Sequence, residues 1–89
     1  MKAKIYTLPT CHKCKDVKDY LAERKLEYTE VCLDNEEGVK DLRSYYKHVK
    51  DTVPRLANGA LMLPIVIFFE NDEVNKVCHE LEQVKLLVG

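Results

Sequence analysis

The chain has little that would direct it to nucleic acid or to a membrane. Its 89 residues set 14 Lys+Arg against 15 Asp+Glu, a formal net charge of −1, with no basic block. A nucleic-acid-binding domain ordinarily carries a basic excess, so no nucleic-acid partner is expected. No apolar run reaches the roughly 20 residues that a bilayer span requires. The longest, Ala60–Phe69, is interrupted by Pro64. No apolar h-region follows the lysines of Met1–Thr7, as a secretory signal would require. The expectation is a cytoplasmic protein without a membrane partner. Glycine and proline are scarce, at three each, against 46% hydrophobic residues. That balance suits a folded globular chain and excludes a disordered one. Repeats, low-complexity stretches and linkers are absent. The length suits one domain over residues 1–89, expected to be monomeric. Such a chain buries only about 60–65% of its unfolded surface, so its core is modest.

What is present begins with Lys2–Leu8, which alternates polar and apolar residues as a half-buried strand does. A helix is expected from about Cys11 to Lys25, with Cys14, Val17 and Leu21 on one face. Glu27–Leu33 alternates again as a second strand, and Asp34 and Asn35 offer an N-cap to a second helix over about Glu36–Val49. Its apolar stripe is Val39, Leu42, Tyr45, Tyr46 and Val49; Gly38 weakens the first turn by up to about 1 kcal/mol relative to Ala. Lys50–Ala60 reads as a loop, marked by Pro54 and Asn58-Gly59. Ile65–Phe69 is a continuous apolar run, the pattern of a strand buried on both faces. A polar turn at Glu70–Glu73, a short return strand at Val74–Val77 and a last helix over about His79–Val88 follow. Strands 1, 2 and 3 are expected to be central or parallel, and strand 4 antiparallel at an edge.

Four cysteines remain to be placed: Cys11, Cys14, Cys32 and Cys78. In a reducing compartment they point to redox chemistry or metal binding rather than to structural disulfides. Cys11-His12-Lys13-Cys14 lies between a strand and a helix. Cysteines at i and i+3 in a first helical turn bring their sulfurs within bonding reach. Unpaired N–H groups and the positive helix end favour a thiolate at Cys11, with Lys13, and His12 when protonated, adding cationic character. Cys14 shares the apolar stripe. The expected division is therefore an exposed nucleophile at Cys11 and a shielded resolving thiol at Cys14. The alternative from another class is a metal- or iron–sulfur-binding module built on the same pair. Structural zinc draws on a second close-spaced pair, whereas Cys32 and Cys78 lie far apart. Cys32 reads as a structural thiol, and Cys78 is placed to approach the catalytic turn. Tyr20, Tyr45 and Tyr46 read as packing residues and His48 as a surface one. Lys13, Lys15 and Lys18 make one end of the first helix basic, a solvated face or a steering surface for an acidic partner.

The strand and turn Ile5-Tyr6-Thr7-Leu8-Pro9-Thr10-Cys11, the Cys-His-Lys-Cys pair and Leu63-Pro64 make the chain resemble a glutaredoxin over nearly its full length. The resemblance implies an α/β, thioredoxin-like fold in the order β-α-β-α-β-β-α, with a four-stranded mixed sheet flanked by helices. It implies a thiol–disulfide oxidoreductase with Cys11 attacking and Cys14 resolving. Pro64 takes the place of the family's cis-proline, and Leu63 offers backbone to a bound peptide or glutathione. Substrate contacts are accordingly expected at His12, Lys13, Leu63, Pro64, Cys78 and His79. No metal site and no tightly bound cofactor are implied. The expected partners are a disulfide-containing protein or glutathione, and a reductase that supplies electrons. Thr52-Val53-Pro54 spells a tripeptide that often carries the cis-proline, but no strand pattern follows it, as one does Pro64. The chain departs from the family at His12-Lys13, where Pro-Tyr is common, and at Leu8, where a lysine often stands. It departs again at Asn75–Glu80, which has no glycine pair. A protein partner in place of glutathione is the corresponding expectation.

Overall fold

Alternation along Lys2–Thr7 sends Ala3 and Ile5 to one side of a strand and Tyr6 to the other, and all three are buried. The strand therefore has a helix-covered layer on each side. The computed structural model describes residues 2–50, 52–53 and 63–88. Its elements are β1 (Lys2–Thr7), α1 (His12–Glu23), β2 (Tyr28–Cys32), α2 (Glu36–Arg43), α3 (Tyr46–Val49), β3 (Ile65–Glu70), β4 (Glu73–Cys78) and α4 (Leu81–Val88). The expected loop over Lys50–Ala60, with Pro54 and Asn58-Gly59, falls largely outside the described residues, as does the side chain of Val88.

The sheet order is β2-β1-β3-β4. β1 pairs with β2 in parallel, and β3 is antiparallel to both β1 and β4. Thus β1 and β3 are central and β4 is an antiparallel edge, as expected. β2, grouped above with the central or parallel strands, is parallel and at the other edge. The continuous run Ile65–Phe68 is buried throughout because both faces of β3 are covered. Ile5, Val17, Leu21, Val66, Phe68, Cys78 and Val84 form the core on the α1/α4 side. Tyr6, Leu42, Val49, Val53, Ile65, Ile67 and Val77 form the core on the other. Each large apolar side chain so buried contributes about 1.5–3 kcal/mol.

Helix α1 stops at Glu23 because Lys25 turns left-handed (φ 57°), and the Leu26 amide closes back on the Leu21 carbonyl at 3.0 Å. Asn71 and Asp72 both have positive φ (55° and 64°), the two-residue hairpin geometry that Asn and Asp tolerate. The single helix expected over Glu36–Val49 is two pieces. After Arg43 the Ser44 hydroxyl donates to the Asp41 carbonyl at 2.6 Å, and Tyr45 takes a non-helical conformation before α3 begins. The apolar spacing continues across the break, since Tyr45 and Val49 still face the core.

Register gathers one set of chain ends. Thr7 stands opposite Cys32, Tyr6 opposite Ile65, and Val66 opposite Cys78. The residues just after β1, just before β3 and just after β4 therefore meet at one end of the sheet, and the β3–β4 hairpin lies at the other.

Candidate active site at the start of helix α1

Three residues carry the chain from β1 to the N-cap of α1, which is Cys11. Its backbone is extended (φ −89°, ψ 103°), and its Sγ accepts a hydrogen bond from the Cys14 amide at 3.2 Å. Cys11 is disulfide-bonded to Cys14, with Cα atoms 5.3 Å apart. Cys11 is half-buried, whereas Cys14 is only 1% exposed and points inward beside Val17 and Leu21 on the buried stripe of α1. The first turn of α1 contains no acidic residue, and His12 and Lys13 are both exposed on it. When the disulfide opens, an amide N–H, the positive helix end and the neighbouring Lys13 ammonium favour a thiolate at Cys11.

The Leu63–Pro64 peptide is cis. Pro64 is buried, and half-buried Leu63 packs against the core on the α2/α3 side. Lys13 and Pro64 share a groove of about 340 Å³ with Asp16 from α1 and Glu80, Leu81 and Glu82 at the start of α4. The fold thus brings Lys13 and Pro64 together. Glu80 closes the Asn75–Glu80 stretch in which the sequence departs from the family, whereas Asp16 and Glu82 carry no sequence signal and are brought in by the packing of α4 beside α1.

Cys78 and His79 are placed differently from the expectation of substrate contact. Cys78 is 0% exposed within the core on the α1/α4 side, and burial pushes its thiol up from its ordinary value. The end of β4 does approach the catalytic end of the sheet, but the side chain at Cys78 faces inward. The His79 side chain is 11% exposed and is clamped by Gln83. Its backbone amide donates to Gln83 Oε1 at 2.8 Å, and Gln83 Nε2 stands 3.2 Å from its Nε2. Its Nδ1 has no hydrogen-bond partner and lies 3.9 Å from Glu80 Oε1. His79 therefore holds the start of α4 against the end of β4.

Cys32 is half-buried at the end of β2. Among the described residues, no group of three or more His, Cys, Asp and Glu side chains converges as a metal-ligand set. Likewise no described helix is long and apolar enough to cross a membrane.

Two polar clusters fix the strand that leads into the site. Tyr6 donates to Asp41 Oδ1 at 2.7 Å, and Lys4 donates to both Asp41 oxygens at 3.0 Å, tying β1 to α2. Burial of the phenol, together with the Asp41 hydrogen bond, raises Tyr6 far above its ordinary value. On the other side Thr7 and Lys18 both donate to Glu30 Oε2, at 2.8 and 2.9 Å, joining β1, α1 and β2. The Lys18 bond first, and the Thr7 bond second, hold Glu30 below the usual carboxylate range. Sequence spacing gave no sign of either cluster, since the hydrogen-bonded partners are 12 to 37 residues apart.

Solved structures share this fold. A mutant of the thioredoxin-like protein BC3987 superposes with a TM-score of 0.60 at 20% identity, covering 98% of this chain and 99% of that one. Glutaredoxin 1 from Francisella tularensis, solved with cacodylate, gives 0.56 at 20% identity over 96% and 88% of the two chains. The glutaredoxin grx-1 from Archaeoglobus fulgidus gives 0.55 at 20% identity over 98% and 86%. No curated protein sequence matches the chain significantly. The glutaredoxin family model matches residues 3–61, well over half of the chain and inclusive of the Cys11–Cys14 turn. With the fold, the paired cysteines and that match in agreement, the chain belongs to the glutaredoxin family of thiol–disulfide oxidoreductases.

Proposed function

We propose that the protein reduces disulfides of partner proteins by a two-cysteine mechanism, with Cys11 as nucleophile and Cys14 as resolving thiol. The observation that carries this reading is the asymmetry of the pair: Cys11 caps the helix at its half-exposed end, and Cys14 is buried on the core stripe. In the reduced protein the Cys11 thiolate attacks one sulfur of the substrate disulfide. A bond forms between that sulfur and Cys11 Sγ, the substrate S–S bond breaks, and the first substrate thiolate leaves and is protonated from solvent. Cys14, deprotonated, then attacks Cys11 Sγ and displaces the second substrate thiolate. Two electrons have passed to the substrate, and the Cys11–Cys14 disulfide remains. A dithiol-bearing reductase, or two equivalents of glutathione, returns those electrons in a cytoplasmic setting. No bound cofactor enters any step. Cis-Pro64 and Lys13, which share a groove, are the substrate contacts of this reading, with exposed His12 on the same turn as Lys13 and Leu63 offering backbone.

The test is a trapping experiment. Cys14→Ser mixed with a disulfide substrate should accumulate a mixed disulfide on Cys11, read by mass spectrometry. Cys11→Ser should form no adduct and lose exchange altogether. Equal trapping on Cys14 by Cys11→Ser would reverse the assignment. No adduct in either variant would remove the mechanism.

A further inference from the structure

The charge of the chain is unevenly spread. Residues 40–55 hold five Lys or Arg against two Asp, while the other residues hold nine against thirteen acids. Of those two Asp, Asp41 is spent on Lys4 and Tyr6, and Asp51, like Arg55, lies outside the described residues. Lys40, Arg43, Lys47 and Lys50 are all exposed, and among the described residues none of them forms an ion pair. Two grooves divide this surface. The one beside α2 sets Lys40 and Arg43 against Asp34 and Glu36, so its charge is balanced. The other, of about 250 Å³ between α3 and β4, is lined by His48, Thr52, Val74, Asn75, Lys76 and Val77 and holds no carboxylate.

The α3–β4 groove is furnished with donors. The Lys76 ammonium and the Asn75 amide come from β4, and the His48 imidazole from α3. The Thr52 hydroxyl is turned back on the His48 carbonyl at 3.3 Å. Lys47 and Lys50, one helical turn apart, flank His48 in the chain and extend the positive charge beyond the groove. Glu73, the acid of β4, is exposed and does not line it. Cations gathered without partners are complementary to anionic groups on another molecule. Two observations favour a protein over other polyanions. Among the described residues, Tyr46 at 39% is the one large apolar side chain exposed on α2 and α3, too little for a membrane-inserting face. The negative balance of the remaining residues repels the continuous phosphate chain of a nucleic acid. We propose that the α3–β4 face docks an acidic protein segment, with Asp or Glu side chains at Lys76 and Asn75 in the groove and at Lys47 and Lys50 outside it. The basic end of α1, open in the sequence to the same use, has Lys18 already bound to Glu30.

The experiment titrates hexaglutamate into the full, oxidised chain at low ionic strength and follows backbone amide shifts by NMR. Oxidised Cys11 cannot attack, so docking is read apart from the exchange reading, and failure of one leaves the other standing. The shifts should centre on Lys47–Lys50 and Val74–Val77. Lys47→Gln with Lys76→Gln should weaken binding about tenfold. Lys2→Gln with Lys85→Gln, which removes the same charge elsewhere, should change it by less than about twofold. About 1 M salt, with a screening length of about 3 Å, should abolish it. Shifts centred on Lys13–Lys18 instead, or equal weakening in the two double variants, would overturn the inference. So would tighter binding of single-stranded DNA or of phosphatidylserine vesicles than of hexaglutamate on this face, because the occupant would then be a different polyanion.

Discussion

Helices α1 and α2 both follow a parallel strand and start alike. The side chain of each N-cap accepts from the amide three residues on: Cys11 Sγ from Cys14 at 3.2 Å, and Asn35 Oδ1 from Gly38 at 2.8 Å. What surrounds the two caps is opposite. The first turn of α2 carries Glu36 and Glu37, which neutralise the positive helix end, and its amide acceptor is chemically inert. The first turn of α1 carries no acid, an exposed His12 and the exposed ammonium of Lys13, and its acceptor is sulfur. The same backbone solution serves stability in one place and reactivity in the other. An uncompensated helix end is tolerated at α1, where a thiolate is to be held.

The largest effect should come from Gly38. A Cβ at this position would lie 1.9 Å from the Cys32 carbonyl oxygen, which is backbone and cannot swing aside. The glycine is what lets the start of α2 close against the end of β2. Gly38→Ala should therefore cost about 3 kcal/mol or more in denaturant unfolding. A loss under about 1 kcal/mol, the sign of a helix start relieved of glycine's entropy, would contradict the close approach.

Asp41 comes next. Asp41→Ala leaves the buried Tyr6 hydroxyl and Lys4 without their acceptor, which should cost about 1–3 kcal/mol. The loss carries a pH signature. Burial acts to raise Asp41, but the hydrogen bonds from Tyr6 and Lys4 outweigh it and hold the group below its ordinary value of 3.8. A depressed carboxylate contributes stability that is complete above the ordinary value and is lost as pH falls through the folded one. The gap between wild type and Asp41→Ala should thus be constant near neutrality and shrink on acidification below that value. Glu30 is depressed in the same direction, but it is present in both proteins, so the difference isolates Asp41. A gap that stays constant through the acid range would refute the ionic part of this network.

Removing the inert cap should cost less. Asn35→Ala should lower stability by about 1 kcal/mol and leave disulfide exchange near the wild-type rate. Cys11→Ser is its mirror image: serine is itself a good cap, so the reduced variant should unfold within about 0.5 kcal/mol of wild type while exchange is lost. If Asn35→Ala impaired exchange more than tenfold without unfolding the protein, the two caps would not be separable.

Much of this contrast was legible in the sequence. The alternation of Lys2–Thr7, the C-x-x-C after it and the apolar run behind Pro64 each carry a local signal, because period and spacing are properties of short segments. Asn35 was legible as a cap for the same reason. Gly38 was read only as a weak spot, because its purpose, clearance from the Cys32 carbonyl, exists only once α2 packs on β2. The break at Ser44–Tyr45 was hidden by an apolar stripe that runs through it. Cys78 looked available because the end of strand 4 approaches the catalytic turn, and the covering of β4 by α1 and α4 is a tertiary fact. The carboxylates of the groove come from two helices 64 or more residues apart in sequence (Asp16 against Glu80 and Glu82), a juxtaposition no single-segment pattern encodes.

The smallest effect is also the most direct probe of the comparison. Giving α1 the first turn of α2, by His12→Glu and Lys13→Glu, removes the Lys13 ammonium and supplies the charges that compensate the helix end. Each acid at such a position is worth about 0.3–1 kcal/mol to the helix, so the helix itself should be slightly more stable. The same charges repel a thiolate at Cys11 and compete with it for the positive end. Because about 1.4 kcal/mol corresponds to a tenfold change in ionisation equilibrium, the pair should cut the Cys11 thiolate fraction at neutral pH by about threefold to tenfold. Thiolate absorbance of the reduced protein against pH reads this without any substrate. The double variant should be more stable and less ionised at once. If the absorbance curve did not move, the Cys14 amide would be sufficient to set the thiolate, and the absence of acids from the first turn of α1 would have no bearing on its reactivity.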